Sequence, residues 1–546
     1  MNGWKDLFRL NRLELLFLLF LYLAGLYLRL GPRLEIDPHL LTFQGDIWYR
    51  LTMAQYIGDH WALPHPDIRY LAHGYVPMWY PPLSPIFFAV ASRLTGLDIP
   101  TVSSRLVPFL EALAPLPLYL LARYLYNWRV AFLAAVALTL TPSFVFWTGI
   151  SDPQSFTLFL IPVAMMLWIW HCRTRAGLDY RRLVPFGLLL ALTFLAHLSF
   201  FVLALALLTA TLALYWRGEA SRGTFLDLMA VILLSQALTA IWWLPKNLYW
   251  WWINALVTSS GMYQAADQLK EYGTFAALMG LASTLYLLRG GKRHLIVLLW
   301  ALPLFLETQN EVILTAANAI HLSWSTLAKP LEGFRFYPFL AQPFALAIGV
   351  TVADVAERTR VRHSNAESRA VLLLWSAFLA LGLTYGVYQY GLPGRLQNSG
   401  LIVDEYEAAL WFRANSQPTD RIIADYYRAQ MFAGVNGGKA LLGGMFPLRN
   451  VDYPYIKAPG QVQNDLYILY NTSDPELAVE MAKRYGATHI FYSENMIRYG
   501  NLLSYYKKAS EYGVDVDRAK FQDGRYFEIA YRRETPYGEV VIVRVK

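Results

Sequence analysis

Charged residues and cysteine are scarce in this chain of 546 residues. Only 16% of the residues are Asp, Glu, Lys or Arg, whereas about a quarter are charged in a typical soluble protein. The single cysteine, Cys172, excludes an intramolecular disulfide and a cysteine-rich zinc site. A glycine-rich phosphate loop, an HExxH pair and a nucleophile elbow are also missing. These absences argue against a soluble-type nucleotide site or a hydrolase triad.

Long apolar runs are the most abundant feature, because 56% of the residues are hydrophobic. Runs of about 18 or more recur through the first 390 positions, and each is long enough to cross the hydrocarbon core of a bilayer. They predict a polytopic α-helical membrane protein with about 11–13 transmembrane helices. The predicted spans are 12–30, 106–122, 130–149, 155–171, 184–199, 201–216, 224–243, 273–288, 294–308, 335–353 and 370–389. The first span lacks a small-residue cleavage site, so we expect it to be retained.

Basic residues give these spans a predicted direction. The net charge of +8 comes from short clusters between spans, which is the positive-inside pattern and not a nucleic-acid-binding face. With the N-terminus in the cytoplasm, every strongly basic short loop falls on that side. This holds only if the short, proline-bounded run 82–95 lies in the membrane interface without crossing. We therefore expect a multi-pass protein of the cell membrane, with the loops 31–105, 150–154, 244–272 and 309–334 outside.

The tail differs from the rest of the chain. Charged residues increase after about position 393, and long apolar runs end. Residues 406–415 predict a helix, 421–426 a short strand, 474–494 a helix and a buried strand, and 527–545 a terminal hairpin. We therefore expect a transmembrane domain over 1–392, with its external first loop, and an external soluble α/β domain over 393–546.

Two aspartates stand out because this topology places them in the same compartment. Asp46 follows the first span, and Asp152 lies at a turn between two later spans. Asp152 could simply cap the next helix, and Asp46 could be a solvated loop charge. As a pair they could act as a general base toward an acceptor, or bind a hard divalent cation such as Mg²⁺ or Mn²⁺.

Further charged residues occur on the same predicted side. Arg335, at the outer end of a span, suits either snorkelling or contact with a phosphate or pyrophosphate. Lys246, surrounded by tryptophans, is typical of an interfacial anchor, and contact with a lipid phosphate is the alternative. Three acids lie in or beside the 309–334 loop and are further candidates for an acceptor or loop role: Glu307, Glu311 and Glu332.

Taken together, these residues resemble the GT-C superfamily of membrane glycosyltransferases, especially the single-chain archaeal and bacterial oligosaccharyltransferases. The likeness includes residues 46–50 after the first span, the Tyr-Pro-Pro-Leu element at 80–83, Asp152, and residues 333–336 opening a late span. An α/β tail that ends in a hairpin also fits. The resemblance implies transfer of a sugar or glycan, with inversion, from a polyprenyl-phosphate or polyprenyl-pyrophosphate carrier on the external face.

The resemblance also implies roles for single residues. Asp46 corresponds to the first-loop acid that binds metal or activates the acceptor, Asp152 to the first acid of a second acidic motif, and Arg335 to the arginine that contacts the donor phosphate. Gln154 stands where oligosaccharyltransferases have a second acid. Residues 424–428 (ADYYR) stand where they carry WWDYG, which leaves Asp425 and Tyr426 as acceptor candidates.

Those two departures favour an acceptor other than asparagine, namely a lipid, a glycan or a protein hydroxyl. The expected partners are therefore a polyprenyl-linked sugar donor, such an acceptor and membrane lipids, without nucleic acid. One alternative is an oligosaccharyltransferase that glycosylates Asn-X-Ser/Thr. Another is a lipid-glycan transporter without transferase activity, although the spans show no inverted repeat of the kind many transporters carry.

Overall fold

A computed structural model of the chain describes residues 10–34, 36–40, 45–64, 80–174, 180–197, 199–250, 272–309, 333–362, 365–390, 401–436, 439–441, 459–499 and 517–546. These residues fall into two compact units. The helix bundle contains Met1–Pro32 and Leu106–Gly394, and the loop–tail unit contains Arg33–Arg105 and Arg395–Lys546. The sequence-based division assigned the loop 31–105 to the transmembrane domain, whereas residues 33–105 share a compact unit with the tail.

The described residues are mainly helical. In chain order the longer helices are α1 (Arg12–Leu34), α2 (Gly45–His60), α3 (Leu83–Thr95), α4 (Pro115–Leu125), α5 (Trp128–Thr139), α6 (Pro142–Trp147), α7 (Gln154–Thr174), α8 (Tyr180–Ala196), α9 (Phe200–Trp216), α10 (Arg222–Trp250), α11 (Thr274–Leu287), α12 (Leu295–Thr308), α13 (Tyr337–Arg362), α14 (Asn365–Tyr390), α15 (Val403–Asn415), α16 (Tyr426–Asn436), α17 (Pro459–Asn471), α18 (Pro475–Arg484) and α19 (Glu494–Tyr499). The strands are β1 (Ile422–Ile423), β2 (Ala440–Leu441), β3 (His489–Ser493), β4 (Phe527–Thr535) and β5 (Gly538–Val545).

The helices confirm the predicted polytopic membrane class. Within the described residues, six segments are long and apolar enough to cross a membrane: Arg12–Leu34, Ile99–Leu125, Gln154–Thr174, Arg222–Leu244, Tyr337–Thr359 and Arg369–Tyr388. Each of the remaining predicted spans coincides with one or more shorter helices. The span predicted over 130–149 consists of α5 and α6, because Pro142 begins a new helix after Thr141. Helices suit a membrane-spanning segment because they satisfy their own backbone hydrogen bonds, which lipid cannot provide.

Small residues allow the central helices of the bundle to approach closely. A Cβ added to Gly349 of α13 would lie 2.7 Å from the backbone oxygen of Val130 on α5, which no ordinary side chain tolerates. Gly280 of α11 likewise faces the ring of Phe344 on α13, 2.1 Å from where a Cβ would stand. This is how membrane helices gain packing energy where lipid provides no hydrophobic driving force between them.

The run 82–95 forms α3, which has 13 residues. At 1.5 Å per residue it is about 20 Å long, which is too short to cross a hydrocarbon core of about 30 Å. It ends at Gly96, whose φ of 73° requires a glycine or a strained backbone. α3 belongs to the loop–tail unit, and it does not continue the bundle.

The tail forms a mixed sheet with the strand order β2-β1-β3-β5-β4. β1 is parallel to β2 and β3, whereas β5 is antiparallel to both β3 and β4. The predicted strand at 421–426 is present as the short β1, and the predicted helix and strand in 474–494 are α18 and β3. The predicted hairpin at 527–545 is β4 and β5. Helices α16, α17 and α19 were not predicted, because their apolar residues follow no clear period.

A fully buried arginine joins several elements of the loop–tail unit. Arg428 of α16 places its Nε 2.7 Å from Glu405 Oε1 of α15 and its Nη1 2.9 Å from Asp425 Oδ2. Ser493 at the end of β3 also donates a hydrogen bond to Glu405. Burial alone lowers the pKa of a guanidinium, but the two carboxylates outweigh it and raise the pKa of Arg428. The cluster therefore holds α15, α16 and β3 together.

We expect Arg428→Met to destabilise the loop–tail unit by about 3–5 kcal/mol, because it leaves two buried carboxylates without their counter-charge. Thermal unfolding of the purified protein in detergent, followed by limited proteolysis of the tail, measures this. Arg525→Met is the matched control, since Arg525 pairs with Asp523 at the exposed surface. Equal melting of the two variants would contradict a structural role for the buried cluster.

Candidate functional site

The basic connections of the helix bundle meet at one end, which we call the basic end. Ion pairs join the start of α1 to the end of α4, the start of α5 to α13, and the end of α7 to the α9–α10 connection. These pairs are Glu14–Arg123 at 3.1 Å, Arg129–Glu357 at 3.5 Å and Arg173–Glu219 at 2.8 Å. The charge pattern predicted that these basic connections lie on one side, and in the folded bundle they lie at one end.

Asp152 lies at the opposite end of the bundle, which we call the Asp152 end. It is 8% exposed, and its Oδ1 accepts a hydrogen bond from the backbone N–H of Gln154 at 2.9 Å. Ser155 Oγ donates to the backbone oxygen of Asp152 at 2.6 Å. Asp152 thus caps the first turn of α7, which was one of the two interpretations of this residue. The preceding Ser151 has a φ of 55°, so the turn is tight.

Gln154 connects this turn to Arg335. Its side-chain Nε2 donates to the backbone oxygen of Arg335 at 2.9 Å, and Gln154 itself is 2% exposed. The two residues are 181 positions apart in the chain. The glutamine that departs from the oligosaccharyltransferase pattern therefore joins the turns of Asp152 and Arg335 at the same end of the bundle. The predicted topology placed these two residues on the same side of the membrane.

The turn that carries Arg335 needs its glycine. The turn Gly333–Phe336 lies against the end of α12, and a Cβ on Gly333 would stand 2.7 Å from the backbone oxygen of Thr308. The neighbouring Glu307, a candidate acid, has its backbone oxygen 3.4 Å from the same point. Arg335 is half-buried, so its guanidinium sits where a charge is screened less than in water.

Arg29 is a cation at this end that the sequence reasoning missed. It lies on α1, is fully buried, and donates from Nε and Nη2 to Thr148 Oγ1 at 3.0 and 2.6 Å. Its Nη1 donates to the backbone oxygen of Gly25 at 2.9 Å. Thr148 precedes Asp152 by four residues, in the connection between α6 and α7. The available signal was an arginine inside a predicted span, since such residues are costly and commonly functional.

Asp46 is carried by the loop–tail unit. It lies in the first turn of α2, and its side chain is outside the described residues, so its pairing with Asp152 stays a prediction. The rest of its motif is packed: Trp48 is 1% exposed and lies 2.6 Å from where a Cβ on Gly434 of α16 would stand. Arg50 Nη1 donates to Tyr80 OH at 3.2 Å. The elements 46–50, 80–83 and 424–428 therefore belong to one unit.

The other predicted site residues remain predictions. Asp425 is described and lies in the Arg428 cluster. Lys246 and Tyr426 lie on helices, with side chains outside the described residues, and Glu311 and Glu332 lie outside them altogether. Within the part of the chain that the structure describes, no three His, Cys, Asp or Glu side chains converge as metal ligands.

His39 ties the first loop to the tail. Its Nδ1 lies 2.8 Å from Asp37 Oδ1, its Nε2 lies 2.8 Å from Asp98 Oδ2, and its ring stacks on Tyr406 of α15. The hydrogen bond to Asp98, helped by Asp37, raises the pKa of His39 above 6.5. Partial burial would raise the pKa of Asp98, but bonds from His39 and Thr101 lower it to about 2. The charged form of the pair is therefore favoured.

Comparison with known proteins places the fold. No family model matches the chain, and no curated protein matches its sequence. The structure of the Archaeoglobus fulgidus oligosaccharyltransferase AglB with an inhibitory peptide and a dolichol-phosphate has a TM-score of 0.58 and 14% identity, covering 96% of this chain and 73% of that one.

Two further solved structures share the fold. ArnT from Cupriavidus metallidurans, bound to undecaprenyl phosphate, has a TM-score of 0.55 and 12% identity, with 100% of this chain and 98% of that one covered. The mycobacterial arabinofuranosyltransferase AftD has a TM-score of 0.52 and 14% identity, covering 93% of this chain and 40% of that one. All three are GT-C membrane glycosyltransferases, so the predicted GT-C fold is confirmed.

We expect the stability of the loop–tail unit to fall as the pH rises above about 6.5. Because the pKa of His39 is raised on folding, its stabilising contribution is complete below the unfolded pKa and is lost as the pH rises through the folded pKa. Melting temperatures measured between pH 5.5 and 8.5 test this, and His39→Gln should flatten the profile over that range. A wild-type profile as flat as that of the variant would show that His39 does not titrate as expected.

Proposed function

We propose that this protein, which has the GT-C fold, transfers a sugar or glycan from a polyprenyl-phosphate or polyprenyl-pyrophosphate carrier to an acceptor at the outer face of the membrane. The observation that carries the proposal is the Gln154 hydrogen bond, which joins the Asp152 turn to the Arg335 turn at the end of the bundle opposite the basic loops. The fold supports it, since the AglB structure contains a dolichol-phosphate and the ArnT structure contains undecaprenyl phosphate.

Arg335 is the proposed contact for the carrier phosphate. A guanidinium donates two parallel hydrogen bonds to phosphate oxygens, and these bonds strengthen as the leaving phosphate gains charge. The Gln154 bond holds the backbone of Arg335, and Gly333 lets the turn approach α12. Both contacts fix the position of the cation before substrate binds, so little reorganisation is needed in the transition state. Lys246 stays a second candidate for phosphate contact.

Arg29 adds a second fixed positive charge at the same end. It lies on α1 and is anchored by its bonds to Thr148, which precedes Asp152 by four residues. In a medium of low dielectric constant, a buried cation stabilises a nearby anion more strongly than an exposed one does. Arg29 would therefore favour retention of the phosphorylated carrier at this end.

Asp46 is the proposed base. The acceptor oxygen forms a bond to the anomeric carbon as the bond from that carbon to the carrier phosphate oxygen breaks. The phosphate leaves with the electron pair, and the acceptor proton passes to the Asp46 carboxylate. Attack opposite the departing phosphate inverts the anomeric centre. Asp152, whose Oδ1 caps α7, would hold the turn in place and assist from its second oxygen.

A divalent metal is a further expectation for this site, and an AglB structure has been solved as a complex with zinc and sulfate. No three ligating side chains converge among the described residues, and the side chain of Asp46 lies outside them. No step above is therefore routed through Mg²⁺ or Mn²⁺. Dialysis against a chelator, followed by addition of either ion, tests the requirement directly.

A non-peptide acceptor suits the tail better than a sequon. Asp425, in the stretch that stands where oligosaccharyltransferases have WWDYG, is 2% exposed and is bound by Arg428. A role in reading a peptide would require this buried pair to open, at a cost of several kcal/mol. A lipid or glycan acceptor is therefore the leading proposal.

We expect Asp46→Asn to slow transfer about 10²–10⁴-fold, the usual contribution of a general base. Arg335→Ala should slow it about 10²–10³-fold, because a preorganised donor to the leaving phosphate is lost. The measurement is transfer of radiolabelled sugar from synthetic undecaprenyl-phosphate and dolichyl-pyrophosphate donors, by purified protein in nanodiscs, to lipid, glycan and sequon-peptide acceptors. Arg525→Ala is the control, since Arg525 is exposed on the tail.

The alternatives give different results in this assay. Undiminished transfer by both variants would exclude the assigned residues. Glycan appearing on the sequon peptide would establish an oligosaccharyltransferase, and carrier crossing the bilayer without sugar transfer would establish a transporter.

A further inference from the structure

A concave site lies at the basic end of the helix bundle. Its volume is about 360 Å³, within the range of roughly 300–1,000 Å³ that small-ligand pockets occupy. Three segments form its wall: the connection between α4 and α5, the turn Leu288–His294, and the last turns of α13. None of the residues proposed for sugar transfer lines it.

The cavity has a net positive wall. Four arginines and two carboxylates line it, which leaves a formal charge of +2: Arg129, Arg289, Arg293 and Arg358, with Asp354 and Glu357. A concave surface with an excess of one charge concentrates the field on a bound counter-ion. The planar guanidinium group of arginine also donates paired hydrogen bonds whose geometry matches that of phosphate oxygens.

The two carboxylates are already satisfied within the wall. Arg358 Nη2 lies 3.0 Å from Asp354 Oδ2, and Tyr286 OH donates to the same oxygen at 2.6 Å. Glu357 pairs with Arg129 at 3.5 Å. Arg289 and Arg293 form no ion pair with any other residue that the structure describes. These two arginines are therefore the cations that an external anion would meet.

The turn that carries both arginines has a fixed shape. A Cβ on Gly290 would stand 2.2 Å from the ring of His294, so only glycine lets that ring fold back. Gly291 has a φ of 57°, which glycine adopts without strain. The His294 ring in turn stacks on Tyr126, whose OH lies 3.2 Å from Nδ1. The arginines are thus presented by an ordered turn and not by a loose loop.

An apolar stripe on α11 leads to this turn. The exposed side chains Leu278, Leu281, Leu285 and Leu288 are spaced three or four positions apart, so they share one face of the helix. In a membrane helix such a face contacts acyl chains. The stripe ends beside Arg289, so a molecule with acyl chains and an anionic head could lie along α11 and place its head in the cavity. A free anion would contact only the cavity and not the stripe.

We propose that this cavity binds the phosphodiester headgroup of an anionic phospholipid through Arg289 and Arg293, with the acyl chains against the leucine stripe of α11. The charge rule places the basic end in the cytoplasmic leaflet, where anionic lipids attract basic segments. The site is distinct from the proposed donor site, and it holds a lipid that is not consumed.

Native mass spectrometry of the purified protein in detergent tests the proposal. Dioleoyl phosphatidylglycerol should remain bound where dioleoyl phosphatidylcholine is stripped. The double variant Arg289→Gln/Arg293→Gln should weaken phosphatidylglycerol binding about thirtyfold, since each basic contact at a membrane surface is worth about fivefold. Arg369→Gln is the control, because it removes one arginine charge from an exposed position near the start of α14, outside the cavity.

The remaining arms separate the possible outcomes. The charge-retaining variant Arg289→Lys/Arg293→Lys should keep most of the binding, and unchanged melting of both double variants in phosphatidylcholine would show that they fold. If inorganic phosphate stabilises the wild type against thermal unfolding as much as phosphatidylglycerol does, the lipid assignment is overturned in favour of a free anion. Equal binding of phosphatidylglycerol by the wild type and the Gln variant would show that Arg289 and Arg293 do not form the lipid site.

Discussion

The exclusion of water from the hydrocarbon core is the constraint on which the rest of the bundle depends. Polar groups at that depth must find partners inside the protein. Arg29 finds Thr148, and near the basic end His171 Nε2 lies 3.1 Å from Asp227 Oδ2, with both side chains no more than 1% exposed. Within the described residues, Arg29 and His171 thus have partners inside the bundle. The Asp152 end carries Asp152, Arg29 and Arg335, and the basic end gathers arginines around a separate cavity.

The loop–tail unit is held together differently, because its elements come from distant parts of the chain. Residues 33–105 leave the bundle and pack with the tail through several unlike contacts. His39 stacks on Tyr406, Trp48 lies against Gly434, and Arg413 reaches Asp59. The helix that carries Asp46 therefore rests on the α/β tail. A tail that packs on this helix can set its position, which gives the tail a structural role whether or not it also contacts an acceptor.

The described motif residues have structural roles beside the chemical roles proposed for them. Asp152 caps α7, Asp425 holds Arg428, and Gln154 fastens the turn of Arg335. A site held in this way loses little free energy to reorganisation when charge develops on a leaving phosphate, which is the condition for electrostatic catalysis. The departure at Gln154 illustrates the point: an amide can donate to a backbone oxygen, whereas an ionised acid at that position could not.

The sequence by itself determined the membrane class, six segments long and apolar enough to span, the clusters of arginine between helices and the terminal hairpin. Each depends on a local or periodic property: a run of apolar residues, a cluster of arginines, or alternation along a strand. Only the tertiary structure decided that Gln154 meets Arg335 across 181 positions, that Arg29 is buried against Thr148, and that the first loop packs with the tail. Such contacts depend on how helices pack and where small residues let them approach, and no local pattern in the chain records that.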